Sequence, residues 1–267
     1  MSDALLHKYL AVHRQGWVPI YVADDHDVVA LTEACVAAGA TTIEITLRRA
    51  DVVSEIERVR KQFPDLVILA GSVVGHDHLL RAIRRKRPDM PSIEQLIDMG
   101  IDGFVSMLPI PRTVIEKHCH THLFIPGCET IGEAAEAVDA GAHFAKLFSI
   151  STYGGIGRLK LASSVATHGV LPIMVTGGVT LDVIPDLIAA GAGVLAGGWD
   201  VMLADLPDLA GKPVKVDAFA AAMRRFIDAM AEVRGKDHPS ADATLSNADY
   251  LDRLPHAHPF VEAAAKG

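Results

Sequence analysis

Thr41-Thr42-Ile43-Glu44-Ile45-Thr46-Leu47-Arg48 is the stretch whose reading decides the fold. It is rich in β-branched residues and reads as a strand. Strand side chains alternate faces, so Ile43, Ile45 and Leu47 share one side and Glu44, Thr46 and Arg48 the other. The apolar set must face a covering layer of helices. The polar set, a carboxyl included, then points to the inside of a barrel.

Moving outward, the same kind of run recurs. Val18 to Val22 precedes it; Leu66 to Ala70, Phe104 to Met107, Leu123 to Ile125, Phe144 to Phe148, Ile173 to Val175 and Val194 to Ala196 follow. Helical patterns separate them, at Asp27 to Ala38 and Ala50 to Phe63 for example. Gly39, Gly100, Gly141, Gly169 and Gly191 stand where helices end. Leu5 to His13 reads as a short leading helix ended by Gly16. Strands alternating with helices call for an all-parallel sheet. Eight such units favour closure into a (β/α)8 barrel over a doubly wound sheet. At 267 residues the chain has the length for one.

Two parts exceed the alternation. His76 to Asp89 lengthens the third crossover and carries Arg81, Arg84, Arg85, Lys86 and Arg87, a charge run read as a solvated helix face. The barrel domain is assigned to 1–234, with the insert at about 76–89. Residues 235–267 form a C-terminal extension rich in Asp, Ser, Pro and His, either a loose terminus or an arm packed on a neighbouring subunit.

Composition limits the function classes. Half the residues are hydrophobic, which supports a large core. Lys plus Arg total 25 against 33 Asp plus Glu, a net charge of −8. That balance argues against nucleic acid or an anionic membrane as partner. The three cysteines, Cys35, Cys119 and Cys128, form no CxxC, so reduced thiols are expected. With no secretory signal and no apolar run near about 18 residues, a soluble cytoplasmic protein is expected.

One lysine sits in an apolar strand, His143-Phe144-Ala145-Lys146-Leu147-Phe148. By parity Phe144, Lys146 and Phe148 share a face. So do Ile68, Ala70 and Ser72 on the third strand, and Met174 and Thr176 on the seventh. Barrel interiors are normally branched and apolar, so an inward Glu44 and Lys146 stand out. They are either a structural ion pair or a reactive pair. A buried amine escapes its desolvation cost by losing its proton, and a neutral amine condenses with ketones. Thr176-Gly177-Gly178 and Gly197-Gly198-Trp199 end the last two strands, and Gly154-Gly155 follows the sixth. Barrels often bind anions on such turns. His118-Cys119-His120 with His122 precedes the fifth strand, on the face opposite chemistry, and reads as surface. His76-Asp77-His78, on the active rim, could touch substrate or a divalent ion. Glu129 lies within reach.

Taken in order, Thr42 to Arg48, Ala70-Gly71-Ser72-Val73, Phe124-Ile125-Pro126-Gly127, Phe144 to Phe148, Thr176-Gly177-Gly178 and Gly197-Gly198-Trp199 resemble the 2-keto-3-deoxy-6-phosphogluconate / 4-hydroxy-2-oxoglutarate aldolase family over about residues 16 to 234. The resemblance implies a class I (β/α)8 aldolase that joins pyruvate to an aldehyde, or separates them, without cofactor or metal. Lys146 matches the Schiff-base lysine and Glu44 the general acid/base acting through a water. Arg48 matches the carboxylate-holding residue, with Ser72 in place of the usual threonine, and Phe148 the wall of the pyruvyl pocket. Thr176, Gly177 and Gly178 match the turn for a phosphate or distal carboxylate, with Gly197 and Gly198 beside it. The resemblance also implies a homotrimer. Departures cluster at the far end of the substrate. Ser149-Ile150-Ser151 replaces the family's proline after the lysine strand, Gly198 stands where a serine is common, and Ser106-Met107-Leu108-Pro109 replaces a Ser-Pro-Gly turn. A non-catalytic sugar-phosphate-binding barrel is the alternative, and a phosphosugar isomerase or decarboxylase a third.

Overall fold

The computed structural model describes residues 3–152 and 154–260. Among them, eight strands form one all-parallel sheet: β1 (Trp17–Tyr21), β2 (Thr42–Thr46), β3 (Val67–Gly71), β4 (Gly103–Val105), β5 (Leu123–Ile125), β6 (Ala145–Leu147), β7 (Ile173–Thr176) and β8 (Val194–Gly198). Hydrogen-bonded neighbours run β5-β4-β3-β2-β1-β8-β7-β6. The ends of that series meet, since Gly127 bridges Lys146, whose N–H donates to the Pro126 carbonyl at 2.9 Å. The sheet is therefore a closed (β/α)8 barrel.

Helices cover the barrel. α1 (Asp3–Gln15) precedes it, and α2 (Val28–Ala37), α3 (Val52–Gln62), α4 (Asp77–Arg84), α5 (Ile93–Asp98) and α6 (Arg112–His118) fill the first crossovers. α7 (Ile131–Asp139), α8 (Gly155–Ala162), α9 (Ile184–Ala189) and α10 (Trp199–Met202) continue the series. The long α11 (Val216–Arg234) closes the ring and α12 (Asn247–Asp252) lies in the extension. Starts follow local chemistry. Asp27 accepts from the Val29 and Ala30 amides, and Thr130 with Glu133 forms a capping box on α7.

Two apolar layers result. Outside the sheet, Ile43, Ile45, Leu47, Ile68, Ala70, Leu147 and Val175 meet the helices. Inside, Val18, Ile20, Val67, Leu69, Val105, Ile125, Phe144, Met174 and Ala196 fill the barrel. This corrects the third-strand parity: Ile68 and Ala70 face outward, while Val67, Leu69 and Gly71 face inward. Ser72 lies past the strand end with φ 60°, so counting back from it misplaces the alternation.

The base is closed by α1 and the C-terminal extension together. Tyr9 stacks on Phe144 with ring centroids 5.2 Å apart. Tyr250, Leu251 and Phe260 are buried in the same cluster. The extension thus folds back under its own barrel, through Phe260; residues 261–267 lie outside the described ones. The insert is also anchored: Leu80 of α4 is buried, Arg84 donates to the Met90 carbonyl and Gln95, and Arg87 reaches back to the β2 turn.

Candidate active site

Glu44 and Lys146 stand on β2 and β6, diametrically opposed strands of an eight-membered ring. Register sets their heights: Glu44 pairs with Ile20 and Leu69, and Lys146 with Met174. Both are buried, at 2% and 5% exposure, in an interior that is mostly apolar.

The backbone of Lys146 is held on both sides of the β5–β6 seam, its N–H on Pro126 and its carbonyl on the Cys128 amide at 2.9 Å. The side chain is not so held. Its amine lies 5.7 Å from the centre of the half-buried Phe148 ring and makes no hydrogen bond or ion pair among the described residues. Burial holds the amine's pKa below the ordinary lysine value, Glu44 opposes that shift, and the positive charge of Arg48 adds to it. The balance favours a neutral amine more than water does.

The carboxyl of Glu44 sits where Gly71 of β3 has no side chain. A Cβ there would come within 2.1 Å of Oε1. The other oxygen, Oε2, is buried without a protein partner. No ion pair within 4 Å joins Glu44 to Lys146, which leaves one carboxyl oxygen and one amine facing a shared interior. Gly71 thus makes room for the Glu44 carboxyl, and side-chain parity alone did not single it out, because its contribution is an absence of volume.

Arg48 follows β2 in a turn closed by the Arg49 amide on the Thr46 carbonyl at 3.2 Å. It is exposed, its guanidinium has no partner among the described residues, and its charge reaches Lys146. It therefore stands at the mouth rather than in the wall. The neighbouring Arg49 is the buried one, donating to Glu55 at 2.5 and 2.7 Å and to the carbonyls of Ala23 and His26. Ser72 is half-buried beyond β3.

Across the barrel on the same rim, Thr176 is buried and Gly177 and Gly178 both take left-handed backbone, with φ 86° and 80°. A Cβ on Gly177 would meet the Ser149 Cα at 2.8 Å and one on Gly178 the Ser151 Oγ at 2.4 Å. The turn after β7 thus packs on the segment that replaces the proline after β6, and brings its hydroxyls alongside. Gly197 faces outward, where a Cβ would meet the Trp17 ring at 2.6 Å, so only its backbone is available to the site. Gly198 takes the inward position at the end of β8.

His76 is the N-cap residue of α4, with its Nδ1 buried and unpartnered among the described residues, while the other histidines named from sequence fall elsewhere. His78 turns to Arg81 at 3.1 Å on the outside of α4, and His118 and His122 lie at the base near Phe104. Glu129 is exposed, its amide capped by Glu133. Among the described residues no group of three or more His, Cys, Asp or Glu is placed to hold a metal ion. A cavity of about 610 Å³ opens at the far end among Leu10, Val36 and Phe63. It lies away from Glu44 and Lys146, so chemistry rather than volume locates the site. No helix among the described residues is long and apolar enough to cross a membrane.

The family described as KDPG and KHG aldolase matches residues 12–210. A 2-dehydro-3-deoxy-phosphogluconate aldolase of Zymomonas mobilis is 27% identical over 212 residues, covering 78% of this chain and 91% of its own. The solved 2-keto-3-deoxy-6-phospho-gluconate aldolase of the same species superposes with TM-score 0.61 at 25% identity, covering 80% of this chain and 94% of its own. The Legionella pneumophila KDPG aldolase, solved with pyruvate captured as a covalent carbinolamine, gives TM-score 0.59 at 19% identity, covering 84% and 96%.

Proposed function

Because the chain belongs to the KDPG and KHG aldolase family, we propose that it is a class I aldolase whose Schiff-base residue is Lys146. The observation that carries this is the geometry of the pair: a buried, unbonded amine of depressed pKa facing a carboxyl with one unpartnered oxygen. The carbinolamine captured in the Legionella protein supports it.

The amine attacks the ketone carbon of a 2-keto acid, and Glu44 shuttles the proton, through a water, as the carbinolamine loses its hydroxyl as water. The resulting iminium accepts the electron pair of the C3–C4 bond. Glu44 takes the proton from the C4 hydroxyl, the aldehyde leaves, and the enamine is protonated at C3. Hydrolysis then frees pyruvate and the lysine. Arg48 holds the carboxylate with a bidentate fork, which aims the ketone at the amine. Phe148 walls the pyruvyl end, and Ser72 lies beside it.

The distal half meets Thr176, Gly177, Gly178 and the backbone of Gly197 and Gly198. Substrates are 2-keto-3-deoxy sugar acids, phosphorylated or not, or 4-hydroxy-2-oxo acids. The hydroxyls of Ser149 and Ser151 beside the glycine turn favour a polyol-like distal end. The enzyme works as a cytoplasmic homotrimer.

The test is borohydride reduction in the presence of pyruvate. Wild type should gain a reduced pyruvyl group on Lys146, and Lys146→Ala and Lys146→Arg should lose both adduct and turnover. A fully active enzyme with unlabelled lysine ends this reading, and a binding barrel without chemistry forms no adduct.

A further inference from the structure

We propose that Arg87, delivered by the segment inserted after β3, is a positioning residue that holds Arg48 at the barrel mouth. The inference rests on the reading of Arg48 as the carboxylate-binding group.

The physical problem lies where β2 ends. The Leu47 amide still donates to the Gly71 carbonyl at 2.8 Å. After it the chain turns back, and the carbonyls of residues 47–49 leave the ladder together. A guanidinium carries its donors in one rigid plane and can span several such acceptors. Arg87 does this. One terminal nitrogen donates to the Leu47 carbonyl at 2.8 Å and to that of Arg48 at 3.4 Å. The other donates to the Arg49 carbonyl at 3.0 Å and to the Asp89 carboxylate at 3.0 Å. The charge of Arg87 is thus spent on its neighbour Asp89, and its fork grips the backbone on both sides of Arg48.

The arrangement holds the turn from two directions. Arg49 ties it to α3 through Glu55 and to the segment after β1 through the Ala23 and His26 carbonyls. Arg87 ties it to the insert. Between these anchors only Arg48 has a side chain without a partner among the described residues, and it faces the mouth. A long exposed side chain has much rotamer freedom. Fixing its backbone removes one source of wandering that would otherwise cost aim at a planar anion.

Loss of Arg87 should leave the fold intact. The Thr46–Arg49 turn bond and the Arg49–Glu55 pair remain to hold the turn. The test measures borohydride trapping on the full chain with two ketones, pyruvate and acetone, the second lacking a carboxylate. Arg87→Ala should raise the half-saturating pyruvate about tenfold, or ~1.4 kcal/mol, and leave the acetone trapping rate unchanged. Arg87→Lys, which keeps a single donor, should fall between. Unchanged pyruvate half-saturation, or equal slowing with both ketones, overturns the proposal, since a general support would move them together. Arg48→Ala separates the two layers. If it leaves pyruvate half-saturation unchanged, the carboxylate reading fails and this one with it. If it weakens pyruvate while Arg87→Ala does not, only the positioning role fails.

Discussion

Gly71 shows how little volume decides the chemistry. Its hydrogen occupies the place where any side chain would strike the Glu44 carboxyl, 2.1 Å from a built Cβ. Its backbone sits in β3, outside the left-handed region, so alanine there meets no backbone strain of its own. Gly71→Ala should therefore fold and push the Glu44 carboxyl out of place. Pyruvate trapping is expected to slow at least tenfold with a Tm within a few degrees of wild type, and Glu44→Gln should slow it similarly. A Tm that collapses while trapping per folded molecule persists would show Glu44 to be part of the packing only. In the sequence, Glu44 and Lys146 were legible because a charged residue in an alternating or apolar strand violates the local pattern. Gly71 was not, since one missing methyl in a strand-end turn looks like any other turn glycine.

At the scale of elements, the barrel depends on how α1 meets the first two strands. Gln15, the last residue of α1, donates to the carbonyls of Trp17 at 2.6 Å and Thr42 at 2.9 Å. It accepts from the amides of Thr41 at 2.6 Å and Thr42 at 2.9 Å. One side-chain amide thereby satisfies the open backbone ends of β1 and β2 at the base. Gln15→Ala should cost about 1–3 kcal/mol in the urea midpoint and leave pyruvate trapping intact, because barrel chemistry lies at the other end. Loss of trapping in folded protein would contradict that separation. The strands themselves could be read from residue type and spacing, within a residue or two at each end. The staple could not, because a glutamine closing a helix carries no signal of what it reaches. Nor could the clasp of Arg87, since basic residues in a run are alike until the fold assigns one of them three carbonyls.

For the molecule as a whole, the extension turns polar composition into a pH-sensitive foundation. In sequence its histidines belonged to an extension read as either a loose terminus or an arm on a neighbouring subunit. In the structure His13 of α1 bonds Tyr250 at 2.8 Å and His256 at 3.1 Å, and its ring stacks on His238 with centroids 6.0 Å apart. Arg234 adds a positive charge beside them. Burial is the main cause that holds His13, His256 and His258 below the ordinary histidine value and brings His238 to about 4. Neutral when folded and protonated more readily when unfolded, these groups make the unfolded chain bind more protons as pH falls below about 6.5. Each then removes up to ~1.4 kcal/mol of stability per pH unit, less for those partly in solvent. The carboxylates whose pKa values are lowered, Asp27 and Glu133 among them, lose their contribution only under more acid conditions. The window between pH 6.5 and 5 belongs to the histidines. The urea midpoint should be flat from pH 7 to 8.5 and fall through that window, with amide exchange quickening first around Tyr250 and Leu251. His256→Gln keeps a group able to bond His13 and cannot charge, so it should reduce the slope. An unchanged slope in that variant, or a midpoint level down to pH 5, would show that the extension is held by its apolar contacts alone.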